Sequence, residues 1–327
     1  MNSVKEDLRR QMIKIAKYYY EDGLTQEEIA GRLSLSRQKV GRLMQRLVPE
    51  GIVKISIDDS QDQHIELEKC LEERFGLKEA VVVTTQETNH LTMNALGKAA
   101  AQYLDRILKP KMVLGVAWGR TLAYFSQHIV RERKNLDASI VQLAGGVFPY
   151  DHFMDGEIKK HLSRQSGEIT RDIATKLGAR PYLMHNPLVV DNARTKEVLL
   201  QESSVKSAFE KVKECDVMMI SIASLGKSVS PFREGVLEER SLKYLNDNKA
   251  VGNFLFRYFD INGRIIDMSF YERLMCPDLE DLRKIPVKVC VSGTREKINA
   301  IYGGINGGLV DVLITDAETA KALLKKK

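Results

Sequence analysis

Apolar residues recur at three- and four-residue steps through the first fifty positions, then give way to short β-rich runs separated by helical stretches. Leu8, Met12, Ile15, Ala16 and Tyr19 mark an amphipathic helix that stops before Asp22-Gly23, where glycine supplies a left-handed cap. Thr25, with Glu28 three residues on, forms a capping box that starts a second short helix facing Ile29, Ala30 and Leu33 inward. Ser34-Leu35-Ser36 makes a turn and Ser36 caps a third helix, Arg37 to about Leu47, burying Val40, Leu43, Met44 and Leu47. Residues 50–57 alternate as a strand or small wing, and the polar stretch 58–63 reads as a linker. Two units follow, 1–57 and 58–327, the second opening on an amphipathic helix from His64 to Phe75.

From Ala80 onward, strands are expected at Ala80–Val83, Met112–Val116, Ser139–Leu143, Pro181–Leu183, Val217–Ile222, Val287–Val291 and Val310–Thr315. Helical patterns fall between them at 91–108, 121–130, 168–177, 204–214, 237–245 and 296–302. Such alternation predicts an α/β fold, a doubly wound, mostly parallel sheet with helices on both faces. Phe254–Asp260 and Arg264–Met268, flanking Ile261-Asn262-Gly263, read as an inserted hairpin.

Charge sharpens the division. Residues 1–57 carry 11 Lys/Arg against 7 Asp/Glu, whereas 58–73 is acidic, so a basic module precedes a nearly neutral one. No secretory signal is visible and no apolar run approaches the ~18 residues of a membrane span, which predicts a cytoplasmic protein without a membrane partner. Four cysteines without a CxxC pair and six histidines without HxH or HExxH predict neither disulfides nor a metal. The one local cluster, Asp151-His152-Phe153-Met154-Asp155, reads as a solvated loop.

The three N-terminal helices have the order of a helix-turn-helix, whose last helix enters the major groove of DNA. Gln38 and Arg42 have side chains suited to base edges, while Arg37, Lys39 and the caps Thr25 and Ser36 suit phosphates; Gln26 completes the candidate DNA contacts. In the second unit, ligands are expected beyond the carboxyl ends of the strands. Four glycine-bearing loops lie there: Gly115–Thr121, Gln142–Gly146, Ser221–Ser228 and Ser292–Lys297. Glycines at helix starts, with Arg120, Thr121, Thr294, Arg295 and Lys297 as donors, point to an anionic ligand. Neither GxGxxG with its downstream acid nor GxxxxGK[ST] occurs, which disfavours nucleotides and predicts no cofactor.

Several blocks in order resemble the SorC/DeoR-type bacterial regulators: LTQEEIAGRLSLSRQKVGRLMQRL, GVAWGRTL, IVQLAGG, the SLG turn, AVGNFLFRYFDINGRIID and SGTREKINAIYGGINGGLVDVLITDAETAKALL. The resemblance implies a homodimeric or homotetrameric regulator of a carbohydrate operon, with an effector domain of the sugar-phosphate isomerase and deaminase type. It implies a phosphate cradle at Gly119, Arg120 and Thr121 with Lys297 as charged partner, and sugar-lining positions at Gln142, Gly145, Gly146 and Gly226. The chain departs from its relatives at Asn253, where an acid is common, at Ala144, where some carry a basic residue, and at Thr294, where glycine is common. Ala144 holds no second phosphate, so a monophosphorylated sugar or polyol is expected. Two other readings compete: an isomerase or deaminase fused to a DNA-binding head, for which Glu296 is the only base in the loops, and an architectural DNA-binding protein indifferent to metabolites.

Overall fold

The structure is a computed structural model that describes residues 2–55, 64–130, 136–146, 165–226 and 239–326. The chain separates into Met1–Gln63 and His64–Lys327. The linker read at 58–63, the Asp151–Asp155 cluster, and Lys227 and Ser228 of the third loop lie outside the described residues.

In the first unit, helices Asn2–Tyr20, Gln26–Leu33 and Arg37–Met44 enclose a core of Met12, Ile15, Ala16, Ile29, Ala30, Val40, Leu43 and Leu47. The capping box is complete. Thr25 N–H and Oγ1 each donate to Glu28 Oε2 at 2.8 Å, and Glu28 N–H donates to Thr25 Oγ1 at 3.4 Å. The Thr25 backbone and side-chain bonds hold the Glu28 carboxyl below its usual range. Two expectations fail. Tyr19 is exposed, its ring edge-on to Tyr20, and the described part of the expected strand holds turns and bends at residues 50–53 and no strand through 55, while 56–57 lie outside the described residues. With Gly51 at φ 67°, the N–H groups of Ile52 and Val53 both return to Leu47 O, at 2.9 and 3.0 Å. Those two apolar side chains pack back on the three-helix core, so the alternation that suggested a wing serves the helix end.

The strands of the second unit are β1 (Glu79–Val83), β2 (Val113–Val116), β3 (Ser139–Gln142), β4 (Arg180–Tyr182), β5 (Val217–Ile220), β6 (Ala223–Ser224), β7 (Gly252–Phe254), β8 (Arg257–Phe259), β9 (Val287–Val291) and β10 (Val312–Asp316). Seven form one all-parallel sheet in the order β1-β10-β9-β5-β2-β3-β4. β2 and β5 are buried at every position, as expected for strands covered on both faces, while Pro181 sits in the exposed edge strand β4. The other edge is covered by the helix Ile65–Phe75: Glu72 and Glu68 carboxylates accept the N–H groups of Ala80 and Val82 at 2.9 and 2.7 Å.

The chain winds from β2 through β3 to β4, then returns to the other side of β2 with β5. The switch in winding direction therefore lies between β2 and β5. β6, β7 and β8 form a small antiparallel sheet just beyond β5. Its hairpin corrects the sequence reading: the expected strand Phe254–Asp260 is broken by a two-residue turn at Leu255 and Phe256, both at positive φ (45° and 65°). Such turns favour Asn and Gly, so no local signal marks this one. It is held by burial instead, for Leu255 and Phe256 are 4% and 1% exposed. A second turn at Gly263 does follow, with Phe259 bridging Ile265.

Candidate functional site

On the N-terminal unit, Ser34 in the left-handed region (φ 52°) turns the chain between the second and third helices. Ser36 Oγ accepts Lys39 N–H at 3.2 Å, fixing the start of the third helix. Its first turn carries no acid, and Arg37, Gln38, Lys39 and Arg42 are all exposed along its open side. Arg37 is loosely paired with Glu27 at 3.7 Å, both side chains largely in water, a contact of little strength. Gln26 is half-buried, its Oε1 turned towards Gly41. It packs between the two helices more than it faces outward.

In the second unit, the loops after β2, β5 and β9 lie side by side because those strands are neighbours. Gly119 has φ 116° and ψ 168°, a region open only to glycine, although a Cβ there would meet nothing within 4 Å. Backbone shape, not space, requires glycine. The helix Arg120–His128 begins there without a side-chain cap, so its first N–H groups face outward with the positive end of the dipole. Arg120 is exposed and Thr121 is buried. From the β9 loop, Lys297 Nζ donates to Ser221 Oγ at 3.3 Å and Ser292 Oγ at 3.5 Å, and the two hydroxyls lie 3.2 Å apart. Burial pushes the Lys297 ammonium down to about 8; nearby Arg120 adds to the effect, while Cys290 and Glu296 oppose it. A half-buried cation held by two hydroxyls, at the start of the helix Ile298–Asn306, is arranged for an anion.

The β3 loop is different. Gln142 Nε2 donates to Ala144 O at 2.5 Å and its Oε1 accepts Met184 N–H at 2.8 Å, so both ends of the amide brace the chain. Gly145 N–H donates to Met275 O and Gly146 N–H to Asn186 O. A Cβ on Gly145 would approach Pro187 O to 2.5 Å. Gly145 permits close backbone contact, and the N–H groups of both glycines are bonded within the chain. Asn253 is buried in β7 opposite Ala223 and Tyr258, and Gly226 closes the described part of the β5 loop.

Sequence reasoning did not single out Ser221 and Ser292 as Lys297 partners, nor Trp118, whose ring stacks on Phe256 at 4.8 Å, nor the fully buried Asp316. For Asp316 a signal existed: Asp with Thr three positions on, ahead of an apolar helical run, is a helix cap, and its carboxylate accepts Thr319 N–H at 3.1 Å. A cleft of about 470 Å³ opens elsewhere, lined by Lys98, Gln102, His128, Val130 and Leu177 among others, and shares no residue with these loops.

A helix-turn-helix joined to a doubly wound sheet with a cationic site at its switch point defines a DNA-binding regulator that carries its own small-molecule domain. Comparison with known proteins agrees. Residues 59–325 match the family model described as a putative sugar-binding domain. The chain is 30% identical to the transcriptional regulator LsrR of Enterobacter sp. over 95% of its length and 91% of the relative's, and 28% identical to the deoxyribonucleoside regulator of Bacillus subtilis over 95% and 96%. The crystal structure of the full-length sorbitol operon regulator SorC from Klebsiella pneumoniae superposes with a TM-score of 0.73 at 28% identity, covering 97% of this chain and 98% of that one. The chain belongs to the SorC/DeoR-type transcriptional regulators with a sugar-binding domain.

Proposed function

We propose that the chain acts in the cytoplasm as a homodimer or homotetramer, binding the operator of a carbohydrate-metabolism operon under the control of a monophosphorylated sugar or polyol. The observation that carries the effector reading is Lys297, a half-buried ammonium held by Ser221 and Ser292 beside Arg120 and the uncapped helix start at Gly119. Phosphate is the group that suits this set, with the sugar extending towards Asn253. Gln38 and Arg42 read bases, and Arg37 and Lys39 meet phosphates. The relatives' names support the carbohydrate side: one is a sorbitol operon regulator and one a deoxyribonucleoside regulator.

The regulator reading is preferred to an isomerase or deaminase because the side chains that hydrogen-bond Lys297 are the hydroxyls of Ser221 and Ser292, and the carboxylates nearby are not placed for proton transfer. Glu296 is exposed, and Asp316 is engaged on all sides by Thr85, Thr294 and Thr319. Neither is poised as a general base. A thermal-shift screen of the full chain against phosphorylated pentoses, hexoses, amino sugars and polyols tests the assignment. A monophosphate that raises the melting temperature without being turned over is the expected result. Preference for a bisphosphate, or steady product formation, contradicts it.

A further inference from the structure

The Ser292–Lys297 turn is tied by hydrogen bonds to the residue at which the second unit begins. Asp316 lies at the end of β10, in register with Val83 of β1, and is 0% exposed. Its Oδ2 accepts Thr294 N–H and the Thr319 hydroxyl, each at 2.7 Å; its Oδ1 accepts the Thr85 hydroxyl at 2.8 Å and Thr319 N–H at 3.1 Å. These four bonds keep the carboxyl below its usual range despite burial, which alone would raise it. The turn sits directly on this carboxylate, since a Cβ at Gly293 would come within 2.3 Å of Oδ2. Thr294 is held at φ 81°, a conformation costly to any residue with a side chain, and the bond to Asp316 is what fixes it. One residue before Thr85, the Thr84 hydroxyl lies 3.0 Å from His64 Nε2, and His64 opens the second unit.

We propose that Asp316 and Thr85 are the positioning residues that couple the effector turn, through the end of β1, to the His64 end of the unit, from which the chain continues to the DNA-reading helices. The proposal rests on the effector reading of the Lys297 site. A ligand drawing the strained turn outward misaligns a carboxylate that is 0% exposed and bonded on both oxygens, so Thr85 and the end of β1 follow. Among the described residues, the Thr85 hydroxyl bonds to no residue assigned to the ligand or to DNA. Its hydroxyl bridges Asp316 and Glu318 N–H, the latter at 3.0 Å. Removing it therefore cuts the connection and leaves both sites in place.

The test uses the full chain, a duplex selected by that chain from a random pool, and the panel sugar phosphate that most alters wild-type duplex affinity. Effector affinity, duplex affinity and the factor by which the effector changes duplex affinity are measured separately for wild type, Thr85→Val, Thr85→Ser and Asp316→Asn. Thr85→Val is expected to bind duplex and effector as wild type does, yet lose at least about fivefold of the coupling factor. Thr85→Ser, which keeps the hydroxyl, restores it, and Asp316→Asn weakens effector binding as well. Full coupling in Thr85→Val overturns the proposal, as does loss of coupling matched by equal loss of effector affinity. A wild-type chain indifferent to every sugar phosphate overturns the reading of the site, and the proposal with it.

Discussion

Lys297 stands at the start of a helix, where the dipole opposes a cation, with hydroxyls as partners and Arg120 nearby. That placement costs stability without an anion and is relieved by one. Two opposite pH dependences follow from the value of about 8 against the ordinary 10.5. The folded, ligand-free chain binds fewer protons than the unfolded chain between these values, so this lysine makes stability rise with pH across that window. Anion affinity behaves oppositely: the ammonium is present below about 8, and affinity falls as pH rises through it. Calorimetric titration with the effector at pH 7 and pH 9 checks the second trend, and Lys297→Arg, charged throughout, should abolish the decline. At the DNA-reading surface, Arg42→Ala should weaken binding to the selected duplex by about 1–3 kcal/mol and relax preference at one base position. An equal loss on every sequence would mark Arg42 as a phosphate contact instead.

The Leu255-Phe256 turn is the element in which fold and site meet. Its positive φ angles persist because both side chains are buried and Phe256 stacks on Trp118, one residue before Gly119. Phe256→Ala should cost about 3–5 kcal/mol in denaturant unfolding. Trp118 is the only tryptophan, so its emission should report the same change and respond to effector in the wild type. Silence of that emission on effector binding would contradict the placement of the site. This turn also shows where sequence reasoning reaches its limit. Thr25, Ser36, Gly119 and the parallel strands were legible because caps, glycine conformations and short β-rich apolar runs act through neighbouring residues. The split of Phe254–Asp260, the brace made by Gln142 and the packing of Ile52 and Val53 depend on partners distant in the chain, such as Trp118, Met184 and the three-helix core. Gly145 and Gly119 look alike in sequence yet differ in role: one avoids Pro187, the other adopts a backbone shape.

Over the whole molecule, the chain joins a basic three-helix unit to a sheet whose switch point carries Lys297 and Arg120. Pairing two such units about a two-fold axis presents two reading helices to half-sites ~34 Å apart or at multiples of that spacing. A small change in how the units are held then shifts operator affinity, and a coupling of 1–3 kcal/mol corresponds to about 5–150-fold. Footprinting should accordingly reveal paired protected half-sites, whereas one isolated site would argue against the symmetric assembly. The most direct measurement of the central claim is fluorescence anisotropy of the selected duplex, titrated at fixed salt with wild type and Lys297→Ala, with and without the panel sugar phosphates. At least one monophosphate is expected to change wild-type affinity by at least about fivefold, while Lys297→Ala binds the duplex normally and does not respond. An unresponsive wild type, or a Lys297→Ala chain that responds in full, would contradict it.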